Sequence, residues 1–316
     1  MLILITICWT FGALGQSKKG ELLFPRYAPS AATDGHWIYV YGGAPHGGRN
    51  GKDFMNQGLH ASIERIDPNS LKSAYFSNGL HRRANHASVI SGNKMISCGG
   101  RSQMGLLRPK MSDCEVLDLS TGIFRELPAL PDSLRSIGMT EVSGVLYVMG
   151  GLLKGNQYSK SVYKLNEDKS EWTRLEDMPL EREGAIVSIG SKIYAISGYN
   201  GKSLARVQVF DTQSEHWEQL KELPYGLSAY SAVTDGEFIY IFGDYAKMDQ
   251  IHRYEPQTGD LYRLDIRMTP RRHTAAVLVD NMAYVIGGNQ ISSGKALALI
   301  EAFSVSDLKK GGTLVN

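Results

Sequence analysis

The sequence predicts an all-β fold, a six-bladed β-propeller with four antiparallel strands per blade, on three observations. A short apolar run closed by glycine recurs six times, as "VYGG" at 40–43, "MISCGG" at 95–100, "VMGG" at 148–151, "AISG" at 195–198, "IFGD" at 241–244 and "VIGG" at 285–288. The second glycine place falls at 43, 100, 151, 198, 244 and 288, giving intervals of 57, 51, 47, 46 and 44 residues. Such a period holds four short strands and is that of propeller blades rather than helical repeats. Tyrosine stands four places before the second glycine place in five units (Tyr39, Tyr147, Tyr194, Tyr240, Tyr284), with Ile96 in the remaining one.

Each unit reads in the same order. A turn pair comes first: Asp34-Gly35, Gly92-Asn93, Ser143-Gly144, Gly190-Ser191, Asp235-Gly236 or Asp280-Asn281. These residues accept positive φ and suit a tight hairpin joining an inner strand to the glycine-ended strand. After the glycines comes a loop of variable length, then a third alternating strand: "IERID", "CEVLD", "VYKLN", "VQVFD", "IHRYE" or "LIEAF". A polar turn and an aromatic (Phe76, Phe124, Trp172, Trp217, Tyr262) open the outer strand. One such sheet cannot bury both faces alone, whereas six arranged radially bury each face against a neighbour.

The glycine pair, the tyrosine before it, the later aromatic and a "P…R" link to the next unit resemble kelch repeats over nearly the whole chain. Ser197-Gly198, Gly243-Asp244 and a last unit without the usual aromatic depart from that pattern. The glycines are read as sites of close strand packing, not as a phosphate cradle, because no helix signal follows them.

The first residues, "MLILITICWTFGALG", are apolar and uncharged, too short to span a bilayer as a helix, and end in small residues at Ala13-Leu14-Gly15. They are read as a signal peptide over 1–15, leaving 16–316 as a single propeller, secreted or periplasmic. Both ends offer an outer strand for the last blade, "ELLF" at 21–24 and "TLVN" at 313–316. The N-terminal one is preferred, because joining first and last elements locks the ring; deletion of 311–316 then leaves the melting temperature nearly unchanged.

A formal charge of +2 gives no reason to expect a nucleic-acid partner, and no stable membrane insertion is expected after leader removal. Without the leader, Cys98 and Cys114 remain. Their spacing fits no zinc site, and neither metal nor cofactor is expected. A hairpin in the second unit centred between them would oppose the two, where a cross-strand disulfide is possible; two buried free thiols are the alternative.

Arginine recurs at the start of the inner strand (Arg26, Arg83, Arg135, Arg182, Arg272), each 16 or 17 places before the second glycine place. Blade 5 breaks the rule and offers Tyr225 and Tyr230. These positions fall on one face near the central channel, shared with loop residues such as Arg49, Lys52, Arg101, Arg108, Lys110, Lys154, Lys202, Lys247 and Lys295. Asp53, Asp113, Asp132, Glu181, Glu183, Asp244 and Asp249 offset part of the charge. An anionic group is the expected visitor, since the guanidinium fork matches a carboxylate; the kelch resemblance also implies acidic-peptide binding through such arginines. A structural role, bonding loop carbonyls or a neighbouring carboxylate, is the competing reading. Arg83, Arg135 and Arg272 are the favoured ligand contacts, with Arg101, His86 and His273 nearby. No catalytic residue is assigned.

The leading expectation is an exported, non-catalytic propeller that binds a protein, an acidic peptide or an anionic glycan through its basic loop face. The alternative is an enzyme similar to the exported sialic acid mutarotases, acting on an anionic sugar, although only the loop at 43–60 matches the long insertions of those enzymes. An intracellular adaptor is a third possibility.

Overall fold

The computed structural model describes residues 17–45, 58–102, 110–166, 168–290 and 294–316. The apolar stretch at 1–15 expected to be a signal peptide, most of the loop at 43–60, and Arg49, Lys52, Asp53 and Arg108 lie outside the described residues. Six four-stranded antiparallel sheets form the ring, the fifth extended by one more strand. The inner strands Ser30–Thr33, Ala87–Ser91, Gly138–Val142, Ile186–Ile189, Ser231–Thr234 and Ala275–Val279 pack side by side around the axis, the last against the first.

The core is divided into six wedges, one between each pair of neighbouring blades. Ile96 and Val116 of blade 2 pack on Leu146 and Val148 of blade 3, and Val40 and Ile66 of blade 1 on Val277 and Ile286 of blade 6. This is the radial burial that a repeated two-faced sheet requires. The recurrent tyrosine has a matching reason: its ring lies in a wedge while its hydroxyl reaches a turn. Tyr39 donates to Asp34 Oδ2 at 3.2 Å, Tyr240 to Asp235 Oδ2 at 2.9 Å and Tyr284 to the Pro68 carbonyl at 3.0 Å.

The glycine pairs end each second strand at positive φ, the first glycine against the backbone of the following blade and the second against the entry segment of its own. A Cβ on Gly42 (φ +65°) would lie 2.3 Å from the Arg83 carbonyl oxygen, and one on Gly100 (φ +97°) 2.8 Å from that of Ala84. Close approach and left-handed backbone together require glycine there.

The N-terminal strand Lys18–Arg26 closes the ring, pairing antiparallel with Leu297–Ser304 as the outer strand of blade 6. The other terminal candidate adds to a different blade: Thr313–Leu314 pairs with Asp260–Arg267 as a fifth strand of blade 5. The Arg253 guanidinium holds that tail through the carbonyls of Leu308, Lys309 and Gly311. In blade 2, Cys98 and Cys114 lie directly opposite each other, with Cα atoms 4.2 Å apart, and are joined by a disulfide. No helix among the described residues is long and apolar enough to cross a membrane.

Candidate functional site

Six residues occupy one topological position: Arg26, Arg83, Leu134, Arg182, Leu227 and Arg271. The first five each accept, through the backbone carbonyl, the second-glycine N–H of the preceding blade at 2.8–3.0 Å; Arg271 stands likewise against Gly243. The third strand of each blade supplies an opposing residue, in order Glu64, Glu115, Tyr163, Gln208, His252 and Glu301, at one register position.

Position and opposing residue pair inside the blade. Arg26 meets Glu64 at 2.8 Å, Arg83 meets Glu115 at 3.1 Å, and Arg271 meets Glu301. Arg182 donates to Gln208 and to the carbonyls of Ala195 and Ser197. Where leucine replaces arginine, a residue two places earlier satisfies the partner. Tyr163 donates to Asp132 Oδ2 at 2.7 Å, and His252 Nε2 lies 2.7 Å from the Tyr225 hydroxyl.

The expectation that all five recurrent arginines and Tyr225 face a ligand is therefore corrected. Arg26, Arg83 and Arg182 are 0%, 0% and 3% exposed and committed to protein partners, so an incoming anion would have to displace carboxylates and carbonyls that are already paired. Tyr225 serves His252 and does not line the channel. Blade 6 contributes Arg271, not Arg272, to the buried set.

One residue further along stand Tyr27, Ala84, Arg135, Glu183, Ser228 and Arg272; Tyr27, Arg135, Glu183 and Ser228 line the channel, whereas Ala84 is buried against Ala44 and Leu59. Most bridge to the residue following a glycine pair, as Arg135 does to Leu152, Glu183 to Tyr199 and Arg272 to Asn289. The next residues form a backbone collar. Ala28 N–H donates to His273 O, Asn85 to Ala28, Ser136 to Asn85 and His273 to Ala229, at 2.7–3.1 Å. Ala28, Asn85, Ser136, Ala229 and His273 all carry left-handed φ near +55°, held there by collar bonds that offset the conformational cost.

Below the collar opens a cavity of about 530 Å³ along the axis, a size suited to a small ligand or a peptide end. Small and hydroxyl side chains line its wall; Ser30 bridges His86 Nε2 at 2.8 Å and Ser88 Oγ at 2.5 Å. Tyr230 lines it too, its hydroxyl donating to the Ile196 carbonyl. Arg135, Glu183, Tyr199, Tyr245 and His273 stand at the opening. The Arg272 guanidinium lies 4.0 Å over the Tyr245 ring, and Tyr27 packs edge-on against His273 at 5.0 Å. Arg101 donates through Nε to Asn85 Oδ1 at 3.0 Å.

The mouth is electrically asymmetric. Burial raises the Tyr27 phenol above its ordinary value, against the pull of Arg101, Arg272 and Arg135. Burial, Arg272 and Arg135 hold His273 neutral, down to about 3. His86 is kept well below the ordinary value by burial, Arg83 and Arg26. Arg272 Nε and Nη1 and Lys110 Nζ are shielded from solvent and have no hydrogen-bond partner. Such donors are costly to leave unmatched.

The sequence profile of the KLHDC2/KLHL20/DRC7 Kelch-repeats domain matches residues 85–288, from the start of blade 2 into blade 6. The chain belongs to the kelch-repeat family. Beta-scruin of Limulus polyphemus is 28% identical over 188 residues, 53% of this kelch chain and 20% of its own length. Kelch-like protein 23 of Homo sapiens is 23% identical over 190 residues, 56% of this chain and 34% of that protein. The match thus spans a fifth to a third of those relatives. The solved structure of YjhT shares the fold, with a TM-score of 0.76 at 15% identity over 94% of this chain and 99% of its own.

Of the site residues expected from sequence, the structure brings Arg135, Arg272, His273, Arg101, His86 and Tyr230 to or near one channel. Sequence reasoning passed over Tyr27, Tyr199 and Tyr245 and counted Glu183 only as a charge offset. A repeat alignment carries the signal that finds them: the places just after the buried arginine position and just after the glycine pair.

Proposed function

We propose that this kelch propeller is a binding protein whose axial mouth takes an anionic group of a protein, an acidic peptide or a glycan, after export and removal of the apolar leader. One observation carries the reading: Arg135 lines the cavity, and Lys110 and Arg272, which act electrostatically on the lining residues Glu183 and His273, hold buried donors without a hydrogen-bond partner. An incoming carboxylate or sulfate would satisfy them through charge-assisted hydrogen bonds. The kelch relatives support a role in recognition, and the blade 2 disulfide suits an oxidising compartment. Mass spectrometry of what copurifies with the secreted chain supplies the ligand. Arg135→Ala and Arg272→Ala should then each weaken its binding about tenfold or more at unchanged melting temperature; full affinity in both variants would defeat the reading.

A second reading, an enzyme acting on an anionic sugar in the manner of the sialic acid mutarotases, is favoured by the Glu183 carboxyl. Burial raises it above the ordinary carboxylate value in the cavity that holds Arg135, the direction that favours a role as proton donor. Following anomer interconversion of sialic acid by NMR decides it: acceleration lost in Glu183→Gln establishes the enzyme, and no acceleration removes it.

A further inference from the structure

Glu183 is the only carboxylate, and Arg135 the only guanidinium, among the described residues lining the axial cavity. The two are equivalent residues of adjacent blades. Each follows directly on the residue whose carbonyl receives a second-glycine N–H: Leu134 from Gly100, and Arg182 from Gly151, both at 2.8 Å. At the same rank the other blades carry Tyr27, Ala84, Ser228 and Arg272, so Glu183 is the single acid in a ring that otherwise presents neutral or cationic groups. The groups acting on it come from several elements. Blade 3 contributes Arg135 and the Ser136 hydroxyl, and the blade 2 loop contributes Lys110, whose Nζ is buried without a partner. Tyr158 and Tyr199 stand on the neighbouring loops, and Tyr27 across the mouth shares with Glu183 the field of Arg135.

We propose that Glu183 is a built-in counter-ion of the mouth: in the empty protein its carboxylate balances Arg135 and Lys110, and an anionic ligand can take its place only as Glu183 takes up a proton. This rests on the anion-binding reading above. Two negative groups sharing one cationic site do not both stay ionised, because each raises the proton affinity of the other. Glu183 is prepared for that exchange. Burial already lifts its carboxyl above the ordinary value, against Ser136, Arg135 and Lys110, which favour the ionised form. The arriving anion adds negative charge and draws on the same cations, lifting it further. His273 does not supply this proton, since burial, Arg272 and Arg135 hold it down to about 3. Lys110 is lowered by burial and Arg135 and raised by Glu183; its own loss of charge also weakens anion binding as pH rises, and a Lys110 variant separates the two.

Anion affinity therefore rises as pH falls, by up to about tenfold per pH unit between the Glu183 pKa of the empty and the occupied mouth. Above that window affinity is low and flat; below it, high and flat. Inorganic sulfate is the probe, because it stays doubly charged from pH 5 to 8 and any pH dependence belongs to the protein. Calorimetric titration at constant ionic strength, in buffers of differing ionisation enthalpy, reads both affinity and protons taken up. The expected result is uptake approaching one proton per sulfate in the wild type. Glu183→Gln should bind about tenfold tighter at the upper end of the range, with uptake and slope gone. Lys110→Met should weaken sulfate binding at every pH, because it removes a donor, while proton uptake by Glu183 remains. Equal slopes in wild type and Glu183→Gln overturn the proposal and leave the anion-binding reading standing. A slope that disappears instead in His273→Asn also overturns it. Sulfate binding with zero proton uptake in the wild type overturns it without need of any variant, and failure of sulfate to bind wild type and Glu183→Gln alike removes both the proposal and the reading beneath it.

Discussion

Arg83 and Glu115 form an ion pair at 3.1 Å inside blade 2, with side-chain exposures of 0% and 2%. Their contact is ionic rather than an aligned hydrogen bond: Arg83 Nη1 donates to the carbonyls of Gly99 and Asp113, while Nε and Nη2 have no hydrogen-bond partner. Glu115 also receives the Tyr41 hydroxyl at 2.6 Å and the Leu80 N–H at 2.8 Å. The pair thus ties a glycine turn, a third strand and the previous blade together.

Removing one partner leaves a buried charge unmatched. Glu115→Ala should lower unfolding stability by about 3–5 kcal/mol in urea titrations, whereas Arg83→Met with Glu115→Leu should cost less than either single change. Blades 3 and 5 already run on leucine at the arginine position, which is the natural precedent. A double variant less stable than both singles would contradict this view of the pair.

Stability should fall as acid is added between pH 6.5 and about 4. Burial is the leading cause that lowers His60 and His252 to about 4 and His273 to about 3. For each, the folded state refuses a proton that the unfolded chain accepts. The contribution is complete above 6.5 and is lost as pH falls toward the folded value. Glu301 acts in the same direction at lower pH: burial alone would raise it, but Arg271 and the Thr269 donors hold it below the ordinary value. Glu183, which is raised, has the opposite sign and favours the fold at low pH. For buried His252 the loss is on the order of 3 kcal/mol. The urea midpoint against pH should therefore be shallower in His252→Leu than in wild type; an unchanged slope would show that His252 does not titrate with unfolding.

Ring closure predicts an unequal effect of trimming the ends. Lys18–Arg26 carries Leu22 into the wedge between blades 6 and 1, and Arg26 onto Glu64. Deleting residues 17–26 should abolish cooperative unfolding. Deleting 311–316 removes two exposed paired residues and the Val315 N–H bond to Leu261 O, so the melting temperature should drop by only a few degrees, at about 2–4 °C per kcal/mol. This is slightly more than the nearly unchanged melting temperature expected from sequence, because the tail is an edge strand of blade 5 and not a loose end. Equal losses from both deletions would reverse the assignment of the closing strand.

The Cys98–Cys114 bridge closes the base of the loop that carries Arg101 and Lys110, which form a β-bridge three residues beyond Cys98 and four before Cys114. Cys98→Ala with Cys114→Ala should lower stability by about 3 kcal/mol in the chain-entropy description. Thiol titration of unreduced, denatured protein beginning at residue 16 should find no reactive thiol, and two would disprove the bridge.

The sequence by itself determined the architecture. Blade number, strand order and the packing role of the glycines all follow from a repeated local pattern, and local patterns survive in one dimension. The N-terminal closing strand, too, could be preferred on the logic of a ring. The site was less legible. Arg83 and Arg135 look alike in a spacing count, 17 and 16 places before their glycines, yet that one-residue step sends one side chain into the blade and the other to the channel mouth. Only the tertiary structure separated them, because the direction of a side chain at a sharp turn is set by the backbone it packs against. The same holds for Glu183, an ordinary surface acid by sequence. It feels the charge of Lys110, more than seventy residues away in sequence, only because the ring brings loops of different blades to a common axis.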